Sequence, residues 1–345
     1  MPPAKKSRSW ISMLLSLMVL TIMIAAAIVG YAWYWLHQPL PELPAGTYDV
    51  ARGATVISIG QDMQQKGGMQ FPQVWRVWSH VTHRSGLIKA GEFQLRNGMS
   101  PDELLQLFTS GKVVLHSVQF IEGSTFADMR RVIQAEPSID HTLQKASDAE
   151  IMRRLHMTGI HPEGQFFPDK YEFAKGTSDL EIYSIAQRRM QRELQNAWSK
   201  HTADLSVKSA YEALILASIV EKESSLSSER NQIAGVFMDR LDRGMRLQTD
   251  PTVIYGLGDN YDGNIRKSDL QRDTPYNTYT RDGLPPTPIC LPGAGSLYAA
   301  THPERSGALY FVASGEGGAH HFSKTYEEHA QAVVKLIKLQ RAHNK

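Results

Sequence analysis

The chain has 345 residues, enough for about two domains, and its 42% hydrophobic and 21% charged residues mark it as mostly ordinary globular protein. Lys and Arg (37) nearly balance Asp and Glu (35), and no long basic run interleaves with aromatics, which argues against nucleic acid as a partner. The single cysteine, Cys290, excludes an intrachain disulfide and a cysteine-based metal site, and between Ile289 and Leu291 it reads as a small buried apolar residue.

Residues 1–9 form a short basic tail carrying Lys5, Lys6 and Arg8. From Trp10 to Leu36 there is no charged side chain, and about 20 such residues span a bilayer as a helix. The first charge after this run is Glu42, so the positive-inside rule puts the N-terminus in the cytoplasm and the rest outside. Trp10, Tyr31, Trp33, Tyr34 and Trp35 sit at its ends, where aromatic rings prefer the lipid–water interface. A cleaved signal peptide would have a shorter apolar region of about 7–15 residues. The expectation is therefore an uncleaved single-pass anchor over 10–36.

Residues 37–46 (HQPLPELPAG) are proline-rich and predict an extended spacer that holds the next domain off the membrane. Residues 47–118 read as a small mixed α/β domain, with strands over 92–95 and 113–121. A local device recurs there and just beyond: Gly53-Ala54-Thr55, Gly98-Met99-Ser100 and Gly123-Ser124-Thr125, each before a helical pattern. Ser100-Pro101-Asp102-Glu103 is the strongest start, with a capping serine, a first-turn proline and a capping-box glutamate.

Residues 119–345 form a larger unit. Helices are expected over 125–133, 180–197, 209–222, about 229–243 and 326–342, and a strand over 309–313. The stretch 245–295 is rich in Gly, Pro, Asn, Asp and Thr and reads largely as loop; loops this long in a compact domain are usually functional. The fold class expected is α+β: one transmembrane helix, a small mixed domain and a larger α+β domain.

The most informative segment is Leu214 to Glu223, LILASIVEKE, a nearly all-apolar helix that ends in acid. On a helix Glu221 lies above Ala217 and Ser218, small and apolar surroundings that disfavour a carboxylate and suit a general acid. Glu221, Lys222 and Glu223 can equally mark where the helix meets water. Acids at a helix C-terminus also oppose its macrodipole, an inconsistency of the kind found at functional sites. Arg246 to Thr252, followed by Tyr255, and Tyr276-Asn277-Thr278-Tyr279, followed by Gly283-Leu284-Pro285-Pro286, supply amides, hydroxyls and rings suited to sugars. Turn formation explains the same residues. His320 and His321 are adjacent, no HExxH or CxxC occurs, and no metal site or cofactor is expected. Gly315 to Gly318 reads as a hairpin turn, not a phosphate loop.

LASIVEKES, RLDRGMRLQTDPTVIYGLG, TPYNTYTRDGLPPTPI and the weaker EGQFFPDKYEF at Glu163 to Phe173 carry a resemblance. The chain resembles the endolytic murein transglycosylases, the YceG-like proteins (MltG), over essentially its whole length. The resemblance implies that the first glutamate of IVEKE, Glu221, is the catalytic acid, and that the 47–118 region is a LysM-like unit. It implies a non-hydrolytic cut of the MurNAc-β-1,4-GlcNAc bond within peptidoglycan strands that leaves 1,6-anhydro ends. It also implies a bacterial inner-membrane location with a periplasmic catalytic domain beside the peptidoglycan synthases. Ser224 stands where many members have Thr, and GAHHF carries an extra residue, so which histidine takes the family position stays open. Glu223, Gln248, Asp250, Asn277 and Tyr279 are the expected substrate contacts, with Glu223 the runner-up for the acid. A water-using muramidase would need a second acid, with Asp250 or Glu163 as candidates. A non-catalytic peptidoglycan-binding scaffold is the alternative from a different class.

Overall fold

The computed structural model describes residues 7–223, 226–315 and 318–343. Lys5 and Lys6 of the basic tail, Ser224, and Glu316 and Gly317 of the expected turn lie outside the described residues. The chain divides into two compact units. One takes the described residues up to His116 together with Ala174–Gly176; the other takes Ser117–Phe173 and the described residues from Thr177 onward.

The first unit opens with α1 (Ser7–Leu36), whose segment Trp10–Leu36 has mean hydropathy 2.6 and is long and apolar enough to cross a membrane. Then come β1 (Gly46–Val50), α2 (Val56–Gln65), α3 (Pro72–Val81), β2 (Gly91–Leu95) and α4 (Pro101–Ser110). β1 and β2 pair antiparallel, with Tyr48 opposite Phe93. Their core gathers Trp75, Phe93, Leu104, Leu105 and Phe108.

The spacer expected over 37–46 is not an extended one. Trp35, Leu36, Leu40 and Leu43 are buried in this same core, and the Leu40 N–H donates to the Met99 carbonyl at 3.1 Å. The prolines limit the backbone, but the leucines between them gain more by burial than by standing in water.

The second unit takes β3 (Leu115–Gln119) from Ser117, α5 (Phe126–Ala135), β4 (Ile139–Asp140), α6 (Asp148–Arg154), β5 (Lys170–Ala174) as far as Phe173, β6 (Thr177–Ser178), α7 (Asp179–Trp198), α8 (Ala210–Glu223), α9 (Arg230–Asp242), α10 (Asp250–Leu257), α11 (Lys267–Gln271), α12 (Ala294–Thr301), β7 (Tyr310–Ala313), β8 (His320–Ser323) and α13 (Tyr326–His343). Among the described residues its strands pair in twos: β3 with β5, β4 with β6, β7 with β8. α8 is the central element, with Ala213 to Val220 buried without a break, packed by α7, α9 and α12.

The recurring Gly-x-Ser/Thr device works the same way each time. Thr55, Ser100 and Thr125 are N-caps, each completing a capping box with Ser58, Glu103 or Asp128. Gly53, Gly98 and Gly123, two residues earlier, have φ of +80°, +74° and +77°, a conformation that favours glycine. The stretch 245–295 is less loop-like than expected. It holds α10 and α11, because Pro251 starts a helix where it is also compatible with a turn.

Candidate active site

Ser218 locks the end of α8 to the segment before α12. Its hydroxyl donates to the Ile215 carbonyl at 2.7 Å and accepts from the Ile289 N–H at 3.0 Å. The Cys290 thiol donates to the Ser218 carbonyl, and burial pushes that thiol well up, which leaves it a packing residue. These bonds place Gly293, the N-cap of α12, against the last turn of α8.

Glu221 meets it there. Its side chain is 4% exposed, and both carboxyl oxygens are engaged. Oε1 accepts from Arg230 Nη2 at 2.9 Å, and Oε2 accepts from the Gly293 N–H at 2.9 Å. The surroundings expected for Glu221 were small and apolar; the structure adds a guanidinium and a helix N-terminus. The unfavourable end of α8 is thus opposed by the favourable end of α12. Glu122 stands beyond Arg230, at 3.8 Å, and its carboxyl is raised by burial and then by the negative charge of Glu221. Gly295 allows this approach, since a Cβ there would lie 2.7 Å from Arg230 Nη1.

Glu223 is two residues on, and positions i and i+2 do not share a helix face. It lines a cavity of about 370 Å³ with Arg240, Gln248, Asp250, Tyr279, Tyr310, Tyr326 and His329. Three residues expected on substrate, Gln248, Asp250 and Tyr279, therefore line one cavity with Glu223. Burial raises the Glu223 carboxyl, the negative charge of Asp250 adds to this, and hydrogen bonding from the Thr249 hydroxyl works against it. The Tyr279 hydroxyl donates to Asp250 Oδ1 at 2.6 Å. Gln248 has φ of +49°, rare for a residue with a Cβ, and backbone strain of this kind clusters at functional sites.

Asn277 does not join them. It is buried, and its amide donates to the carbonyls of Asp269, Leu270 and Arg272 while its oxygen accepts from the Tyr279 N–H at 2.8 Å. These bonds staple the loop that carries Tyr279. The Asn277 side chain is committed to backbone partners that a sequence pattern does not reveal.

A larger groove, about 740 Å³, lies on the Lys222 side of α8 and includes Asp128, His161, Glu163, Tyr255 and Tyr276. Glu163 accepts from the Phe126 N–H at 2.9 Å and from the Tyr255 hydroxyl at 3.1 Å. Burial pushes its carboxyl up to about 7. Tyr255 and Tyr276 meet edge to face, 4.8 Å between ring centroids. The sequence offers Glu163 only as a second acid; its tie to Tyr255, across 92 residues of sequence, gives no local signal. Along β8, His320 bonds Glu229 through Nδ1 at 2.7 Å, whereas His321 lines a separate cavity with α13 residues.

The YceG-like family model matches residues 48–335. The chain is 30% identical over 306 residues to an endolytic murein transglycosylase of Bacillus subtilis, covering 84% of each protein. It is 26% identical over 359 residues to one of Streptococcus pneumoniae, with 93% of this chain covered and 64% of that longer protein spanned. Among solved structures, a YceG-like protein of Listeria monocytogenes superposes with a TM-score of 0.51 at 30% identity, over 84% of this chain and 99% of that one.

Proposed function

The chain belongs to the YceG-like family, and from that premise we propose that it is an endolytic peptidoglycan lytic transglycosylase with Glu221 as its acid and base. The observation that carries the site is the Glu221 carboxylate, enclosed and fixed at both oxygens at the end of α8. Glu221 first protonates the leaving GlcNAc oxygen as the MurNAc C1–O bond breaks. It then takes the proton of the MurNAc C6 hydroxyl as that oxygen bonds to C1. The proton is returned, no water is consumed, and a 1,6-anhydro end results. The attacking hydroxyl belongs to the substrate, so little entropy is lost in reaching C1 and a second carboxylate is not required. The Arg230 and Gly293 donors suit the second half of this cycle, when Glu221 must act as a carboxylate.

The cavity beside Glu223, with Gln248, Asp250 and Tyr279, holds a neighbouring sugar. In this reading α1 anchors the chain in the bacterial inner membrane with the N-terminus cytoplasmic. The larger unit works on strands in the periplasm near the peptidoglycan synthases, and the small unit, residues 47–118, is a LysM-like glycan-binding domain. One observation favours a second assignment: Glu223 has the raised carboxyl and lines the cavity, which suits a proton donor.

Mass spectrometry of muropeptides from intact sacculi separates these readings. The full chain in detergent is the right reagent, because a cut at residue 40 would remove Trp35 and Leu36 from the core of the small unit. Anhydro ends from wild type and Glu223→Gln, but none from Glu221→Gln, support Glu221. The reverse pattern transfers the role to Glu223. Reducing ends would indicate a water-using muramidase, and no product from any form a binding scaffold.

A further inference from the structure

The small unit does not hang free from its anchor. Around the end of α1, Tyr31 and Trp35 meet Phe71 with ring centroids 6.3 and 5.3 Å apart. Trp33 and His37 meet Trp78 at 5.3 and 6.0 Å. Phe71 is the N-cap of α3, and Trp78 lies within that helix. Seven residues separate them, about 10 Å along α3 at roughly 1.5 Å per residue. Their partners, at the end of α1 and at His37 just after it, are displaced by only about two residues on average, roughly 3 Å along its axis. α3 therefore crosses α1 steeply, and if α1 stands along the bilayer normal, α3 lies nearer the membrane plane.

The outer surface of α3 suits that position. Val74, Val77, Trp78 and Val81 recur at i, i+3, i+4 and i+7, one stripe of the helix whose Val74 and Trp78 are half-buried on the core of the small unit and whose Val77 and Val81 face outward. Val77 and Val81 are 62% and 64% exposed, and Leu87 in the following loop is 53% exposed. Such a set on a small soluble domain is unfavourable in water. The stripe continues onto the α1 aromatics, which are residues that prefer the headgroup level. No acidic residue occurs from Met63 to Gly91. Lys66 pairs with Asp62 and Arg84 with Asp102, whereas Arg76, exposed beside Val77, has no ion pair among the described residues.

We propose that α3 is an interfacial helix: it lies in the surface of the bilayer that α1 spans, with Val77, Val81 and Leu87 among the headgroups and upper acyl chains and Arg76 over anionic lipid phosphates. An amphipathic helix with valine on one side and a cation at its border has the chemistry of such a site. The small unit is then fixed in height and tilt at the membrane.

The inference rests on α1 being a membrane anchor, and the test keeps the two apart. The full chain is reconstituted in vesicles of phosphatidylethanolamine and phosphatidylglycerol. Single cysteines replace Val77, Val81 or Leu87, and Ala26 and Lys200 serve as lipid and water references. Each carries an environment-sensitive nitrobenzoxadiazole; wild type is the blank, because Cys290 is buried. The result expected is blue-shifted emission at 77, 81 and 87, and quenching by headgroup-depth nitroxide lipids at least about twofold stronger than at 200. Water-like emission at 77, 81 and 87 with a shielded label at 26 would overturn the docking and keep the anchor. A water-like label at 26 would overturn both.

Discussion

Arg230 and Glu221 form a buried ion pair, 2.9 Å from Nη2 to Oε1, with side chains 12% and 4% exposed. It joins the first residue of α9 to the last turn of α8, and the Gly293 N–H completes it from the start of α12. Removing one member of such a pair leaves the other charge buried alone. Arg230→Met should cost about 3–5 kcal/mol of stability. It should also abolish the release of anhydro ends under conditions where the variant is still folded. Urea unfolding and muropeptide analysis check the two effects separately, and Arg230→Lys should recover part of each.

Glu163 makes stability depend on pH. Burial raises its carboxyl from the ordinary 4.5 to about 7, so between those values the folded chain binds more protons than the unfolded one. Stability from this group is fully present below about pH 4.5 and is lost as pH rises through about 7. The loss is at most roughly 3 kcal/mol. Glu163→Gln should remove this component, so the difference between wild-type and variant unfolding free energies should change with that sign from pH 5 to pH 8.

Asn277 is predicted to matter for stability first. Asn277→Ala leaves three part-buried carbonyls without their donor and should cost about 1–2 kcal/mol. A lowered Tm with KM nearly unchanged at a temperature where the variant is folded is the expected result. A raised KM with an unchanged Tm would return Asn277 to the substrate.

Gln248 is predicted to do the opposite. Glycine relieves the positive φ but loosens the unfolded chain, so Gln248→Gly should change stability by no more than about 1 kcal/mol. Its side chain lines the cavity with Glu223, so glycan binding, followed by calorimetry with short strands, should weaken.

Much of this architecture was legible in local chemistry. The capping box at Ser100, the helix start after Gly123-Ser124-Thr125, the apolar run of α8 and the 27-residue apolar segment of α1 declare themselves because each is written in residues adjacent in the chain. The gathering of Gln248, Asp250 and Tyr279 near the end of α8 was legible only as side-chain type; their place in one cavity with Glu223 was not.

The sequence by itself determined the long helices, which run is apolar enough for a membrane, and that acid ends the central helix, though not the short helices α10 and α11. Tertiary structure alone decided what that acid meets. Arg230 reaches Glu221 across nine residues and Gly293 across 72. Contacts of this kind also turned Asn277 inward and folded Leu40 and Leu43 into a core. Capping and periodicity are set within a turn or two of chain, whereas burial and charge pairing depend on which distant surfaces close over a residue.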